Sequence, residues 1–329
     1  MLVLNWNGAR LLPRCLEALS RTDYSSGRWE VVVVDNNSSD DSVEAAQRDF
    51  PWIKVSRHPA NLGFGKGYNP AIRRAQGEYV ALLNLDTRVR PAWLKELVRA
   101  AEMDPRVGAT TAKLLFPTDG PLAGRIERAG GQLLADGSGR DRGQLEVDRG
   151  QYDTQEEVFY FAGSASLLRK AALQDSGLFD ERYFMYYEDV DLSWRLRLRG
   201  WKIVYVPTAV VEHEHAASSG EWSPLFIFNV DRNRQLMLFK LAPWPLALRE
   251  AARYVAEWAL NCARVAFWAA TRRQRGPHAA RARLQARVIA SWLWDLPGVL
   301  GDRAAIRSER RAARGVVERW LERSVVERT

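Results

Sequence analysis

Cysteine is scarce in this 329-residue chain: Cys15 and Cys262 are its only thiols. Two thiols so far apart make neither a disulfide framework nor a zinc-ligand pattern, and a reducing compartment is the natural reading. Long apolar runs are also missing, since no stretch approaches the roughly 18 uncharged apolar residues of a membrane span. The opening has neither the charged flank nor the apolar stretch of a secretory leader. Glycine is lacking where a dinucleotide site would need it. The first apolar run, Leu2-Val3-Leu4, leads into Asn5-Trp6-Asn7-Gly8-Ala9-Arg10 with a single Gly. The glycines of Asn61-Leu62-Gly63-Phe64-Gly65-Lys66-Gly67 follow the wrong strand at the wrong spacing. No GxxxxGK(S/T) phosphate loop exists. Nicotinamide binding and P-loop chemistry are thereby poorly supported.

What the chain does have is acid at the ends of apolar strands. Trp29 to Asp35 and Tyr79 to Asp86 are apolar runs that each end in Asp, the first followed by the turn-forming Asn36-Asn37-Ser38-Ser39. Such runs predict buried parallel strands. Helices are predicted over 40–50 and 67–75, with a strand over 52–56 between them, giving the alternation of an open α/β sheet. Ligands of such sheets bind beyond the carboxyl ends of the strands, where Asp35 and Asp86 sit. Capping of the next helix is the plainer alternative for either residue alone.

The segment Tyr186-Tyr187-Glu188-Asp189-Val190-Asp191-Leu192-Ser193-Trp194-Arg195 carries the strongest signal. Its three carboxylates repel one another, so a metal, base chemistry or Arg pairing must use them. A helix N-terminus with Arg one turn below is the structural alternative.

Several of these segments fall into a known series. Leu4-Asn5-Trp6-Asn7-Gly8, Val33-Val34-Asp35-Asn36-Asn37-Ser38-Ser39-Asp40, Asn61-Leu62-Gly63-Phe64 and Asn84-Leu85-Asp86-Thr87 come first. Phe161-Ala162-Gly163, Gly177-Leu178-Phe179-Asp180-Glu181 and the Glu188-Asp189 pair complete it. In order and spacing, over about the first 215 residues, they resemble the successive signatures of family 2 glycosyltransferases. The likeness is nearest to bacterial rhamnosyltransferase-like and galactofuranosyltransferase-like members.

This resemblance implies a GT-A fold, a Rossmann-like mixed α/β sheet, carrying an inverting displacement at the anomeric carbon of a nucleoside-diphosphate sugar. A UDP- or dTDP-sugar is the implied donor, with rhamnose-type sugars favoured, and a glycan or lipid-linked hydroxyl is the acceptor. The resemblance assigns Asp189 as general base with Glu188 as its acidic partner. It assigns Asp35 to the nucleoside, whose N3–H a carboxylate can accept. Asn5, Asn7, Asn37, Asn61, Gly63 and Gly163 are implied contacts of the nucleotide sugar. Asp180 is implied at the donor or acceptor sugar, with capping of its local turn as the alternative. Asp86 is implied at the diphosphate and at a divalent metal, Mn²⁺ or Mg²⁺. His213, 24 residues beyond Asp189, resembles the distal metal ligand, with His215 as substitute.

Three departures stand out. The metal motif usually has more than one Asp, whereas Thr87 and Arg88 follow Asp86; weak metal binding is expected, with Arg88 offsetting diphosphate charge. Pro70 follows Asn69, where a small residue is usual, and is expected in the first turn of a helix. Relatives usually carry a few apolar residues before the Leu-Asn-Trp-Asn motif, which leaves a start upstream of Met1 open.

Charge divides the chain into 1–224 and 225–329. From Leu225 onward there are 20 Lys and Arg against 9 Asp and Glu, so the net charge of +8 comes from this third. Seven of thirteen Trp residues also lie from Trp222 on. Trp244, Leu248, Ala251, Val255, Trp258, Cys262 and Val265 recur at helical steps, predicting an amphipathic helix. Leu284 to Leu300, with Trp292 and Trp294, repeats the theme before the charged 303–328 stretch. A Trp-rich basic helical extension suits an anionic membrane surface. Packing on the core or on another copy, as in a homo-oligomer, is the structural alternative. No recognition motif supports nucleic acid. Together with the resemblance, this predicts a cytoplasmic protein held peripherally at the inner membrane face.

Between Pro117 and Glu157 lies a Gly- and charge-rich stretch, expected as a lid-like or partly disordered loop, or as a surface excursion with a small hairpin. Two other functions stay open at this level. A sugar nucleotidyltransferase would need a basic, glycine-rich loop after the first strand, which 5–10 does not supply. A catalytically inert nucleotide-sugar scaffold is opposed by the intact Glu188-Asp189 pair.

Overall fold

The computed structural model describes residues 1–214, 223–270, 278–312, 315, 317 and 319–321. His215 and Trp222 lie outside the described residues. The chain divides into two compact units: one takes in 1–134, 139–214 and the described residues from Arg311 on, the other Ala135–Ser138 and the described residues between 223 and 310.

The first unit starts as the alternation predicts: β1 (Leu2–Asn5), α1 (Leu12–Ser20), β2 (Val32–Asp35), α2 (Ser42–Asp49), β3 (Lys54–Arg57), α3 (Gly65–Arg74) and β4 (Tyr79–Asn84). Helix α1 buries Leu12, Cys15, Leu16 and Leu19, the one-face spacing of a helix on a sheet. Helix α3 begins earlier than expected, which puts Pro70 inside the helix and not in its first turn. β5 (Thr87–Val89), α4 (Trp93–Glu102) and β6 (Val107–Leu115) follow. Next come β7 (Ile126–Arg128), β8 (Gly131–Leu133), β9 (Gly139–Asp141), β10 (Glu156–Glu157), β11 (Ala165–Arg169), α5 (Lys170–Ser176), α6 (Glu188–Leu198) and β12 (Lys202–His213).

Ten of the described strands form one mixed sheet in the order β10-β12-β6-β11-β4-β1-β2-β3, with β5 added to β12 and β7 to β6, and β8 and β9 form a separate pair. β1, β2, β3 and β4 are parallel, β12 is parallel to β6, and β11 runs antiparallel between β4 and β6. One apolar cluster, with Trp93, Leu97 and Leu114, packs one face, and a second, with Tyr68, Phe161 and Tyr205, packs the other. Both faces are buried, as the near-continuous Val and Leu runs of β2 and β4 require.

The 117–157 stretch is ordered, contrary to the expectation of disorder. β7 pairs with β6, β10 with β12, and β8 with β9 as a hairpin, so the hairpin alternative describes part of it. β12 also outruns the strand expected at 202–206. A register shift between Val206 and Val210 absorbs Pro207, which lacks a ladder N–H, and the strand continues to His213.

The second unit contains α7 (Pro224–Leu241), α8 (Trp244–Ala270) and α9 (His278–Ser308). Ser223 caps α7 by accepting from the Phe226 N–H at 3.1 Å, and Pro224 fills the first turn. Of the apolar positions picked out on α8, Ala251 is buried, Trp258, Cys262 and Val265 are half-buried, and Trp244, Leu248 and Val255 are exposed. Glu250, Tyr254 and Asn261 face inward and are matched by Arg234 at 3.0 Å, Asp231 at 2.9 Å and Gln285 at 3.0 Å. Leu248, Val255, Leu260 and Phe267 are left exposed. Trp292, expected at a surface, is buried and stacked on Phe239 with ring centroids 5.3 Å apart, whereas Trp294 is 86% exposed. Among the described residues no helix is long and apolar enough to cross a membrane.

Candidate active site

The parallel strands deliver their ends to one edge of the first unit. Asn5 and Asp35 are register partners at the ends of β1 and β2. Asn5 is fully buried and its amide donates to Asp35 Oδ1 (3.1 Å), Ser38 Oγ (3.0 Å) and Ser42 Oγ (3.0 Å). It is a bracket that holds Asp35. The Asp35 Oδ1 also accepts from Ser38 Oγ at 2.5 Å, while Oδ2 has only the long 3.3 Å bond from the Ser38 N–H. Oδ2 thus keeps acceptor capacity for a base N–H. Asn7 and Asn37 both take left-handed backbone, φ 50° and 63°, and stand exposed beside this carboxylate's loop. Asn7 Oδ1 accepts from the Ser39 N–H at 2.7 Å.

Asn61 accepts from the Gly63 N–H at 3.0 Å, and the Gly63 carbonyl accepts from Asn36 at 2.8 Å. Gly63 has φ 75°, and a Cβ there would lie 2.1 Å from the Phe184 carbonyl, so only glycine fits. Gly163 is tight for another reason: a Cβ would meet the Phe64 ring at 2.8 Å.

Asp86 occupies a two-residue turn between β4 and β5. Because β5 pairs with β12, Thr87 lies opposite His213 and the turn faces the histidine. Asp86 Oδ1 is 3.3 Å from His213 Nε2, is buried, and has no hydrogen bond among the described residues. On the other side of the ring, Glu127 Oε2 is 3.5 Å from Nδ1. Burial opposes a charge on His213, yet Asp86 and Glu127 outweigh it and push its pKa up to about 10. An oxygen and a nitrogen ligand converge here, a donor set that suits Mn²⁺ or Mg²⁺. Among the described residues no three acidic, His or Cys side chains cluster as a metal site. The residues fit a cation completed by water and a diphosphate rather than caged by protein. Arg88 is not available to a diphosphate as anticipated, since it pairs with Asp119 and Glu212, each at 2.8 Å.

The acidic segment begins at strained backbone. Tyr186 and Tyr187 are consecutive left-handed residues, φ 70° and 69°, directly before α6. The three carboxylates then separate in role. Asp191, fully buried, pairs with Arg195 one turn below at 2.8 Å, so the structural alternative holds for this one. Asp189 accepts from the Gly163 N–H at 3.3 Å and the Val190 N–H at 2.8 Å, and lies 3.6 Å from Arg128 Nη1. Glu188 is buried, with Oε2 lacking any hydrogen bond.

Burial raises the pKa of both carboxyls. Asp189 is pulled back by Arg128, whereas the Asp189 charge drives Glu188 further up. The two settings are unequal: Asp189 has the guanidinium and two backbone N–H groups at hand, whereas Glu188 is buried beside the Asp189 charge, the kind of difference from which separate acid and base roles can follow. Asp180 takes its local-turn alternative: Arg182 donates to it from the backbone N–H (3.1 Å), Nε (2.8 Å) and Nη2 (2.5 Å).

Two residues that matter here carry no signal in the sequence. Glu127 and Arg128 lie on β7, in the stretch read as a loop. Alternating side chains send Glu127 to His213 and Arg128 to Asp189. Arg128 also donates to Asp141 Oδ2 at 2.9 Å, and Tyr160 donates to the other oxygen at 2.7 Å.

Residues 2–177 match the profile of the family described as Glycosyl transferase family 2. The chain is 32% identical over 208 residues to N-acetylglucosaminyl-diphospho-decaprenol L-rhamnosyltransferase of Mycobacterium tuberculosis, covering 58% of this chain and 68% of that protein. It is 29% identical over 218 residues to the O-antigen biosynthesis protein RfbC of Myxococcus xanthus, covering 63% of this chain and 16% of that one. Among solved structures, the mannosyltransferase PcManGT from Pyrobaculum calidifontis, in complex with GDP-Man and Mn²⁺, has a TM-score of 0.53 at 20% identity. That likeness covers 89% of this chain and 86% of that one. GalNAc-T7 with UDP, GalNAc and Mn²⁺ has a TM-score of 0.58 at 15% identity, over 73% of this chain and 47% of that chain. At such identities these two are likenesses of fold.

Proposed function

The chain belongs to glycosyl transferase family 2 and has the GT-A fold, and from that premise we propose a specific reaction for this glycosyltransferase. It moves a rhamnose-type sugar from a UDP- or dTDP-sugar to a hydroxyl of a glycan or lipid-linked acceptor, in the synthesis of cell-envelope polysaccharide. Residues 1–224 are the catalytic region, joined by the described residues from Arg311 on, and the helical unit within 225–310 is a region of association.

The observation that carries this reading is the unequal Glu188-Asp189 pair. An ionised Asp189, steadied by Arg128 and two backbone N–H groups, can take the proton of an acceptor hydroxyl. The acceptor oxygen bonds to the anomeric carbon as the bond to the diphosphate oxygen breaks, and the electron pair leaves with the diphosphate. One displacement gives inversion. A protonated Glu188 beside the base can donate a hydrogen bond to a sugar hydroxyl but cannot compete as a second base. Asp35, bracketed by Asn5, takes the N3–H of uracil or thymine, and Asn7, Asn37, Asn61 and Gly63 line the same edge. Gly163 lets the Phe64 ring pack close and donates its N–H to Asp189, and in this reading it stands beside the sugar. Asp86 and His213 would hold a divalent cation, which when bound supplies positive charge to the departing diphosphate. Asp180 acts by holding its turn through Arg182.

A lipid-linked acceptor is supported by the named substrate of the mycobacterial relative. It agrees with the helical unit, whose polar inner seam leaves Leu248, Val255, Phe267 and Trp294 outward amid a surplus of Arg. We propose that this face rests on an anionic membrane surface, as a peripheral attachment at the cytoplasmic side.

The test is transfer to an N-acetylglucosaminyl-diphospho-polyprenol from a panel of UDP- and dTDP-sugars with Mn²⁺ or Mg²⁺, with the anomeric configuration of the product read by NMR. An inverted linkage from a dTDP-rhamnose donor is expected. A retained configuration overturns the mechanism, and transfer from an unrelated donor alone overturns the sugar assignment.

A further inference from the structure

Glu127 is a carboxylate with no solvent exposure at all. Such a group is costly to bury unless a partner uses it. Its Oε2 lies 3.5 Å from Nδ1 of His213, the ring nitrogen turned away from Asp86, a charge contact in which neither atom has a hydrogen bond among the described residues. An imidazole that offers Nε2 as a ligand must keep its proton on Nδ1, and an acceptor at Nδ1 fixes both that tautomer and the ring's rotation. The strand that carries Glu127 is itself held. Arg128 is paired in register with Leu114 of β6 and tied to Asp141, so Glu127 is presented by a fixed element.

We propose that Glu127 is a positioning residue: it holds His213 through Nδ1 so that Nε2 stands beside Asp86, ready for a divalent cation. The inference rests on the reading of Asp86 and His213 as the metal pair. It concerns how the histidine is aimed and adds no ligand to the cation.

The experiment is a titration of the full-length protein with Mn²⁺ in the presence of UDP, with free Mn²⁺ read by electron paramagnetic resonance. UDP binding without metal serves as the control for the fold. Glu127→Gln keeps the size and removes the charge, and is expected to weaken Mn²⁺ binding about tenfold; Glu127→Ala should approach a hundredfold. Metal-free UDP affinity should stay unchanged in both. Should Glu127→Ala fail to fold, the near-isosteric Glu127→Gln decides alone. Wild-type Mn²⁺ affinity in Glu127→Gln, while His213→Ala loses it, overturns the positioning role and leaves the metal pair standing. Wild-type affinity in His213→Ala and Asp86→Ala overturns the metal pair and this inference with it.

Discussion

The proposed metal side and the proposed base side of this site are built from opposite electrostatic arrangements. Around His213, two carboxylates flank one imidazole, and the surplus of negative charge draws a proton onto the ring in the absence of a cation. Around Asp189, one guanidinium faces two neighbouring carboxyls, burial pushes both upward, and Arg128 works against that push most closely at Asp189. The same residue types thus give a histidine between two carboxylates on one side and a carboxyl pair facing one guanidinium on the other. The sharing of charge decides the role, and β7 contributes to both sides through adjacent residues.

The sharpest way to break this contrast is at the base. Asp189→Asn should lower turnover by roughly a hundredfold or more with nucleotide affinity nearly intact, because the amide cannot accept the acceptor's proton. Steady-state transfer kinetics alongside UDP or dTDP titration would check it, and unchanged turnover removes Asp189 from the role. Asp191→Ala should do the reverse in kind. It leaves Arg195 buried without its carboxylate, and chemical denaturation should report a loss of about 3–5 kcal/mol.

Much of the first half of the site was legible because its chemistry is local in sequence. Asp35 and Asp86 follow apolar runs that can only be buried strands, and Glu188-Asp189 opens a helix. Other features were not legible. Glu127 and Arg128 look like surface charges in a Gly-rich segment, because what buries them is pairing with β6 and ion pairs to residues far away in the chain. The extent of β12 was hidden by Pro207, whose missing N–H a register shift accommodates. On α8 the hydrophobic pattern did not show that Glu250, Tyr254 and Asn261 are buried, since these find polar partners inside.

A smaller effect separates the two sides through Arg128. Its charge works against the upward push that burial exerts on Asp189. Arg128→Met should therefore move the acid limb of the kcat/KM profile to higher pH, since the base acts only when ionised. A limb that stays in place would show that Arg128 serves Asp141 alone.

The smallest expected effect lies outside the site altogether. Substituting Leu248 and Trp294 by Ser should change stability by no more than about 0.5 kcal/mol each, both side chains being exposed. Sedimentation with anionic vesicles should nonetheless fall, and transfer to a soluble acceptor should be unchanged. Undiminished vesicle binding would remove this face from the membrane assignment.

The central claim is that Asp189 is ionised while Glu188 keeps its proton. Infrared difference spectroscopy at neutral pH tests it directly, through the carbonyl stretch of a protonated carboxylic acid. That band should be present in the wild type, vanish in Glu188→Gln, and persist in Asp189→Asn, because burial is the largest cause of the raised Glu188 pKa. A band that vanishes in Asp189→Asn and persists in Glu188→Gln would reverse the two roles and contradict the account.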